Sequence, residues 1–98
     1  MRNLRVRNGV VLLEIKGTFL LVSDREARKY CRYVWKINET GALIWNCLKE
    51  HLDLNGIVRR MMEEYEIDDQ SLLEKDVASY IGQLKENGYL TEEEGNEV

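Results

Sequence analysis

The sequence is poor in the residues from which metal and catalytic sites are commonly built, with one histidine and two cysteines among 98 residues. The lone histidine, His51, lies near the end of a predicted helix. With no second histidine and no CxxC spacing, a metal site is not expected. Neither a glycine-rich nucleotide loop nor a Ser–His–Asp set can be assembled from the other residues. We therefore expect that the protein is not an enzyme and has no cofactor.

Long apolar runs are also missing, so the sequence predicts no membrane span. Residues 1–5 are basic but lack the apolar stretch of a signal peptide. Cys31 and Cys47 lie far apart on apolar-patterned positions, which favours buried reduced thiols over a disulfide framework. These features predict a cytoplasmic protein that does not associate with membranes.

What the chain does contain fits one small globular domain over residues 1–98, with 44% hydrophobic and 33% charged residues. Charge is divided unevenly along it. Residues 1–37 hold nine Lys or Arg against three acids, and residues 38–98 hold five against fifteen. We expect an acidic partner to be steered toward the basic N-terminal part, although solvated charges could also have this distribution by chance. The acidic end, residues 91–98, is expected to be a frayed, solubilising tail.

Three strands are predicted first. Val10–Ile15 and residues 18–22 are apolar runs joined by Lys16 and Gly17, a short connection typical of a β-hairpin. A third strand is predicted over residues 30–37. Its alternation assigns one set of side chains to the helix-packing face: Cys31, Tyr33, Trp35 and Ile37.

Three helices are predicted to follow. The first runs from about residue 39 to residue 50 behind the N-cap Asn38, and Trp45 is expected to be partly exposed on it. Asp53 should cap the second, whose apolar stripe is Leu54, Ile57, Val58, Met61, Met62 and Tyr65. The third should start after Asp68 or Asp69 and stop near Asn87, with Gly88 left-handed and Tyr89 folded back on Leu84. Three strands followed by three helices predict a winged-helix-like α+β domain.

A winged-helix arrangement raises a DNA-binding regulator as one hypothesis, with the third helix in the major groove. Residues 68–87 have only Lys75 and Lys85 against five acids, so the duplex would repel this segment. DNA binding is the weaker interpretation.

The other hypothesis is strand addition, in which an extended peptide pairs with the open edge of the third strand and the third helix forms the opposite wall. Lys75, Ala78, Ser79 and Gly82 share one face of that helix. Gly82 costs about 1 kcal/mol relative to alanine in a helix interior, which suggests a close approach by another backbone. The domain's own sheet could also be what packs there.

Four segments resemble the PqqD-like proteins, which are peptide-recognition domains of pathways that modify ribosomally made peptides. GVVLLEI at 9–15 resembles their first strand, NETGALIW at 38–45 the start of their first helix, and EEYEID at 63–68 the end of their second. Their third helix and its stop are resembled by Asp76, Val77, Tyr80, Ile81, Leu84, Gly88, Tyr89 and Leu90. The resemblance covers about residues 9–90, and residues 23–29 form a longer, more charged connection than is typical of the family.

The resemblance implies a non-catalytic peptide chaperone that binds the leader segment of a precursor peptide and presents it to a modifying enzyme, often a radical S-adenosylmethionine enzyme. No nucleic-acid partner is expected, because of the acidic charge of the third helix. The leader would lie along the third strand, at Arg32, Tyr33, Val34, Trp35 and Lys36. The facing wall would be Lys75, Ala78, Ser79 and Gly82 of the third helix.

Overall fold

The computed structural model describes residues 3–93 as five strands and three helices. In chain order these are β1 (Asn3–Val6), β2 (Val10–Ile15), β3 (Thr18–Ser23), β4 (Val34–Ile37), α1 (Glu39–Lys49), α2 (Leu54–Tyr65), α3 (Gln70–Glu86) and β5 (Leu90–Glu93). Strands β2, β3 and β4 form an antiparallel sheet in that order, and β1 pairs antiparallel with β5 in a separate two-stranded sheet. The predicted three-stranded sheet followed by three helices is confirmed.

The hairpin of β2 and β3 has the predicted two-residue turn. Lys16 and Gly17 both have positive φ, 51° and 82°, as the tight hairpin turn that matches strand twist requires. Pairing runs from Ile15 opposite Thr18 to Val10 opposite Ser23. Glycine at the second position removes the steric cost there.

The third predicted strand is shorter than expected, because residues 24–31 fold into turns instead. Asp24 accepts a hydrogen bond on its carboxylate from the Ala27 amide at 2.9 Å, which starts a short 3-10 turn at Ala27–Lys29. The assignment of Tyr33 to the helix-packing face was wrong, since it precedes β4 and is 56% exposed. Cys31 and Ile37 are buried as predicted, and Trp35 is half-buried.

The helix starts are the predicted ones. The side chains of Asn38, Asp53 and Asp69 accept hydrogen bonds from backbone amides of the first turns of α1, α2 and α3. Ile57, Val58 and Met61 of the α2 stripe are buried. The helices therefore pack their apolar stripes against the inner face of the three-stranded sheet and against one another.

The end of α3 has the complete Schellman pattern. The Tyr89 amide donates to the Leu84 carbonyl at 2.9 Å, and the Gly88 amide donates to the Lys85 carbonyl at 3.1 Å. Gly88 has a φ of 87°, and a side chain there would collide with the Tyr30 carbonyl oxygen. The predicted stop near Asn87 is confirmed.

Two expectations failed because β1 and β5 pair. Trp45 is fully buried rather than partly exposed, since β1 packs on α1 and the Tyr89 ring meets the indole edge-on at 6.5 Å. Residues 91–93 are not a frayed tail but belong to β5, where Leu4 lies opposite Glu92 and Val6 opposite Leu90. The rest of the expected tail, residues 94–98, lies outside the described residues.

Candidate functional site

The free edge of β4 is the main feature of the site. Within residues 3–93, β4 is hydrogen-bonded to β3 on one side and has no strand on the other. The Ser23 amide donates to the Tyr33 carbonyl at 2.8 Å, which makes this opposite pair a hydrogen-bonded one. Because such pairs alternate along an antiparallel ladder, Trp35 and Ile37 also bond toward β3. The backbone N–H and C=O groups of Val34 and Lys36 therefore point out of the sheet.

The C-terminal half of α3 runs beside this edge, antiparallel to β4. At one end, Tyr80 lies so close to Gly41, just after β4, that a Cβ on Gly41 would collide with the tyrosine hydroxyl. At the other end, Gly88 abuts Tyr30, and the Tyr89 hydroxyl donates to the Arg32 carbonyl at 3.3 Å. These contacts at the two ends of β4 hold the C-terminal half of α3 alongside the strand.

The Tyr80 contact identifies the flank of α3 nearest β4. Leu72, Asp76 and Gln83 lie on the same flank as Tyr80, at spacings of 0, 4, 8 and 11 with Tyr80 included. Leu72 is 55% exposed, but Leu72 and Asp76 precede Tyr80 and therefore lie beyond the Gly41 end of β4, which leaves Tyr80 and Gln83 beside the edge. The apolar pattern of the sequence did not single this flank out. Only the position of Tyr80 against Gly41 identifies it.

The predicted small-residue face lies elsewhere on the same helix. Lys75, Ala78 and Ser79 are exposed. Gly82 and Tyr80 are two residues apart, and so point about 160° apart around the helix. A Cβ added to Gly82 would have no heavy atom within 4 Å, so the domain's own sheet does not pack there. The assignment of these four residues to peptide binding stays a prediction.

The predicted strand residues are brought together along the edge. Arg32, Tyr33, Val34 and Lys36 are exposed, and the Arg28 guanidinium stacks 3.7 Å from the centre of the Tyr33 ring. Trp35 instead packs on Tyr89, with ring centres 5.1 Å apart, so much of its surface supports the fold. This edge combines the outward N–H and C=O groups of Val34 and Lys36 with two cationic side chains, Arg32 and Lys36.

The groups exposed along the β4 edge are backbone amides and carbonyls and the side chains of Arg32, Tyr33, Val34 and Lys36. The described part of the chain has no group of three or more His, Cys, Asp or Glu side chains that could hold a metal ion. Burial raises the pKa of the Cys47 thiol. Cys31 and Cys47 form no disulfide, and the buried Cys31 thiol donates a hydrogen bond to the Ala27 carbonyl at 3.2 Å. Burial also raises the pKa of Tyr80.

Among residues 3–93 there is no helix of the length and apolarity that a membrane crossing requires. Both thiols lie in the core, as the sequence predicted.

Two solved structures resemble this fold. One is described as lasso peptide synthetase B1 complexed with the leader peptide, with a TM-score of 0.73 and 25% identity, covering 91% of this chain and 98% of that one. The other, TbiB1 in complex with the TbiA(beta) leader peptide, has a TM-score of 0.71 and 21% identity, and covers 96% of this chain and 99% of that one. At the lower identity the match shows the fold alone.

A search of curated proteins finds no match to this chain. The family comparison is decisive, since the model for coenzyme PQQ synthesis protein D (PqqD) matches residues 9–90. That range takes in the three-stranded sheet, all three helices and the Schellman stop of α3. The chain therefore belongs to the PqqD family.

Proposed function

We propose that this protein binds the leader segment of a ribosomally made precursor peptide as an added strand on β4, and presents it to a modifying enzyme. The observation that carries the proposal is the pair of outward-facing backbone units at Val34 and Lys36 on an edge bordered by α3. Backbone pairing supplies affinity for any extended peptide, and the side chains around the edge select the sequence. Family membership and the leader-bound lasso peptide synthetase B1, at 25% identity, support the same function.

On the strand side, the proposed site consists of Arg32, Tyr33, Val34, Trp35 and Lys36. On the helix side, we place the wall on the flank of Tyr80 and Gln83, because Tyr80 contacts Gly41 in the first turn of α1, which follows β4. The face of Lys75, Ala78, Ser79 and Gly82 is the alternative wall.

Charge favours an acidic leader. Arg32 and Lys36 are exposed at the edge, within the part of the chain that has a surplus of basic residues. Such charges act mainly on the rate of encounter and on its salt dependence. The partner enzyme is inferred from the family resemblance, with the radical S-adenosylmethionine class as the candidate. Chemistry would belong to that enzyme, and this chain would act in recognition only.

Amide hydrogen exchange tests the strand-addition step directly. The protein is titrated with a candidate leader from a neighbouring small reading frame, and exchange is followed residue by residue. The Val34 and Lys36 amides, which point outward, should exchange quickly in the free protein and become protected in the complex. The Trp35 and Ile37 amides already bond to β3, so their exchange should be slow in both states.

A scrambled leader of the same composition is the matched control. Binding of the true leader without protection at Val34 and Lys36 would contradict strand addition at β4. Equal affinity for the scrambled peptide would contradict sequence-selective recognition.

A further inference from the structure

The outer face of the three-stranded sheet, turned away from the helices, is apolar, and no other part of residues 3–93 covers it. The register places one set of side chains together on it: Val11, Leu13, Ile15, Thr18, Leu20, Val22, Val34 and Lys36. Val11 is 52% exposed, Leu13 42%, Ile15 53% and Val34 44%. An antiparallel sheet with one face in water normally carries polar residues on that face. Clustered apolar exposure of this kind usually marks an interaction surface.

The charged side chains on this outer face and at its hairpin turn are basic. Lys36 is the only charged side chain on the face itself, and Lys16 stands at the adjacent hairpin turn. Glu14 belongs to β2 but points to the opposite side, because side chains alternate along a strand. Glu39, in the first turn of α1, lines the same recess as Thr18 and Lys36 at the border of the face. The face itself therefore presents an apolar centre with Lys36 and no carboxylate of its own, and Lys16 and Glu39 lie at its border.

We propose that this outer face is the docking surface for the modifying enzyme. The enzyme would contact it with an apolar patch of its own that is bordered by carboxylates. The proposal rests on the proposed function for the identity of the partner. Protein interfaces commonly have an apolar centre and a charged rim, which is the arrangement seen here. Carboxylates at the rim of the enzyme would complement Lys16 and Lys36.

The outer face is continuous with the open edge of β4, on which the leader is proposed to pair. A peptide strand added beside β4 becomes the fourth strand of the same sheet, so the outer face extends onto it. An enzyme seated on this face would therefore touch the bound leader as well as the protein. It would recognise the complex more strongly than either component alone.

A second copy of this chain fits the face less well. Two outer faces packed together would bring Lys16 and Lys36 of each copy into one interface that contains no acidic side chain from either face. Like charges across an interface are repulsive. Charge therefore favours a different protein with carboxylates over self-association.

The test uses a Val11→Thr/Leu13→Thr double variant of the full chain. Both positions are on β2, the strand farthest from β4, and threonine keeps a high preference for strands. Glu14→Thr is the matched control, on the same strand but the opposite face. The probes are a purified candidate modifying enzyme from a neighbouring reading frame and the leader peptide used above.

The double variant should bind the leader like wild type, while its affinity for the enzyme falls by about tenfold or more, as for loss of central apolar contacts. Glu14→Thr should leave both affinities unchanged. Enzyme binding that is undetectable with wild type, or equal in the double variant, would overturn the proposal. So would a wild-type dimer in sedimentation that the double variant abolishes, since the occupant would then be a second copy. If wild type fails to bind the leader but binds the enzyme, the result counts against the proposed function. The affinities of wild type and the double variant for the enzyme would still test the docking face.

Discussion

The sharpest prediction concerns the outward backbone amide of Val34. Proline at this position removes that N–H, and the amide takes no part in the ladder with β3 because Val34 and Val22 form a non-hydrogen-bonded pair. Proline is tolerated in edge strands where the N–H side faces solvent. We therefore expect Val34→Pro to lower the free energy of unfolding by no more than about 1–2 kcal/mol. The outward groups number two N–H and two C=O, at Val34 and Lys36, so the variant removes half of the donors offered to the leader.

Loss of one hydrogen bond that leaves a peptide carbonyl unpaired costs about 1–2 kcal/mol, which corresponds to about a 5- to 30-fold rise in Kd. Val34→Ala is the control, because it removes the side chain but keeps the N–H. Fluorescence anisotropy with a labelled leader measures Kd, and urea unfolding measures stability. If Val34→Pro is folded and binds the leader as tightly as Val34→Ala, the leader does not pair with this edge and our reasoning is refuted.

Three further predictions use the same assays. Gly82→Leu should raise the free energy of unfolding by about 0.5–1 kcal/mol, since a Cβ there meets nothing within 4 Å, and should leave leader affinity unchanged; lost affinity in a stabilised protein would instead place the peptide on the small-residue face. Arg32→Glu/Lys36→Glu should slow association with an acidic leader and weaken its salt dependence without unfolding the protein; unchanged rates at low salt would mean that the basic edge is incidental. Burial raises the pKa of Cys47 and Tyr89 in the folded protein, so as the pH rises the unfolded chain loses these protons first. The free energy of unfolding should therefore be constant at neutral pH and decline as the pH rises above about 9. Urea melts from pH 7 to pH 11 check the last prediction, and a flat profile would contradict it.

Features set by neighbouring residues were predictable. The caps at Asn38, Asp53 and Asp69 each depend on a side chain and an amide three residues later, and the hairpin depends on Lys16 and Gly17 alone. Their physical causes act within one turn, so the sequence displays them directly. The order of strands and helices, and hence the α+β class, followed from the same local patterns.

Local patterns failed where a turn overrode alternation. The sequence extended β4 back to residue 30, yet the Asp24 carboxylate bonds the Ala27 amide and turns the chain, and Arg28 stacks on Tyr33 outside the core. Period-two alternation cannot distinguish a strand from such a turn when both contain aromatic and basic residues.

By itself, then, the sequence determined the hairpin, the three capped helices, the Schellman stop at Gly88 and the presence of a strand just before α1. Only the tertiary structure decided that β1 pairs with β5, which buries Trp45, and that the Tyr80 flank of α3 borders the open edge. These contacts are between residues far apart in the chain. Strands of four residues, such as β1 and β5, have too little periodicity for the sequence to indicate which strand each will pair with. The same holds for the outer face of the sheet, because which face of an alternating strand stays uncovered depends on where the helices pack.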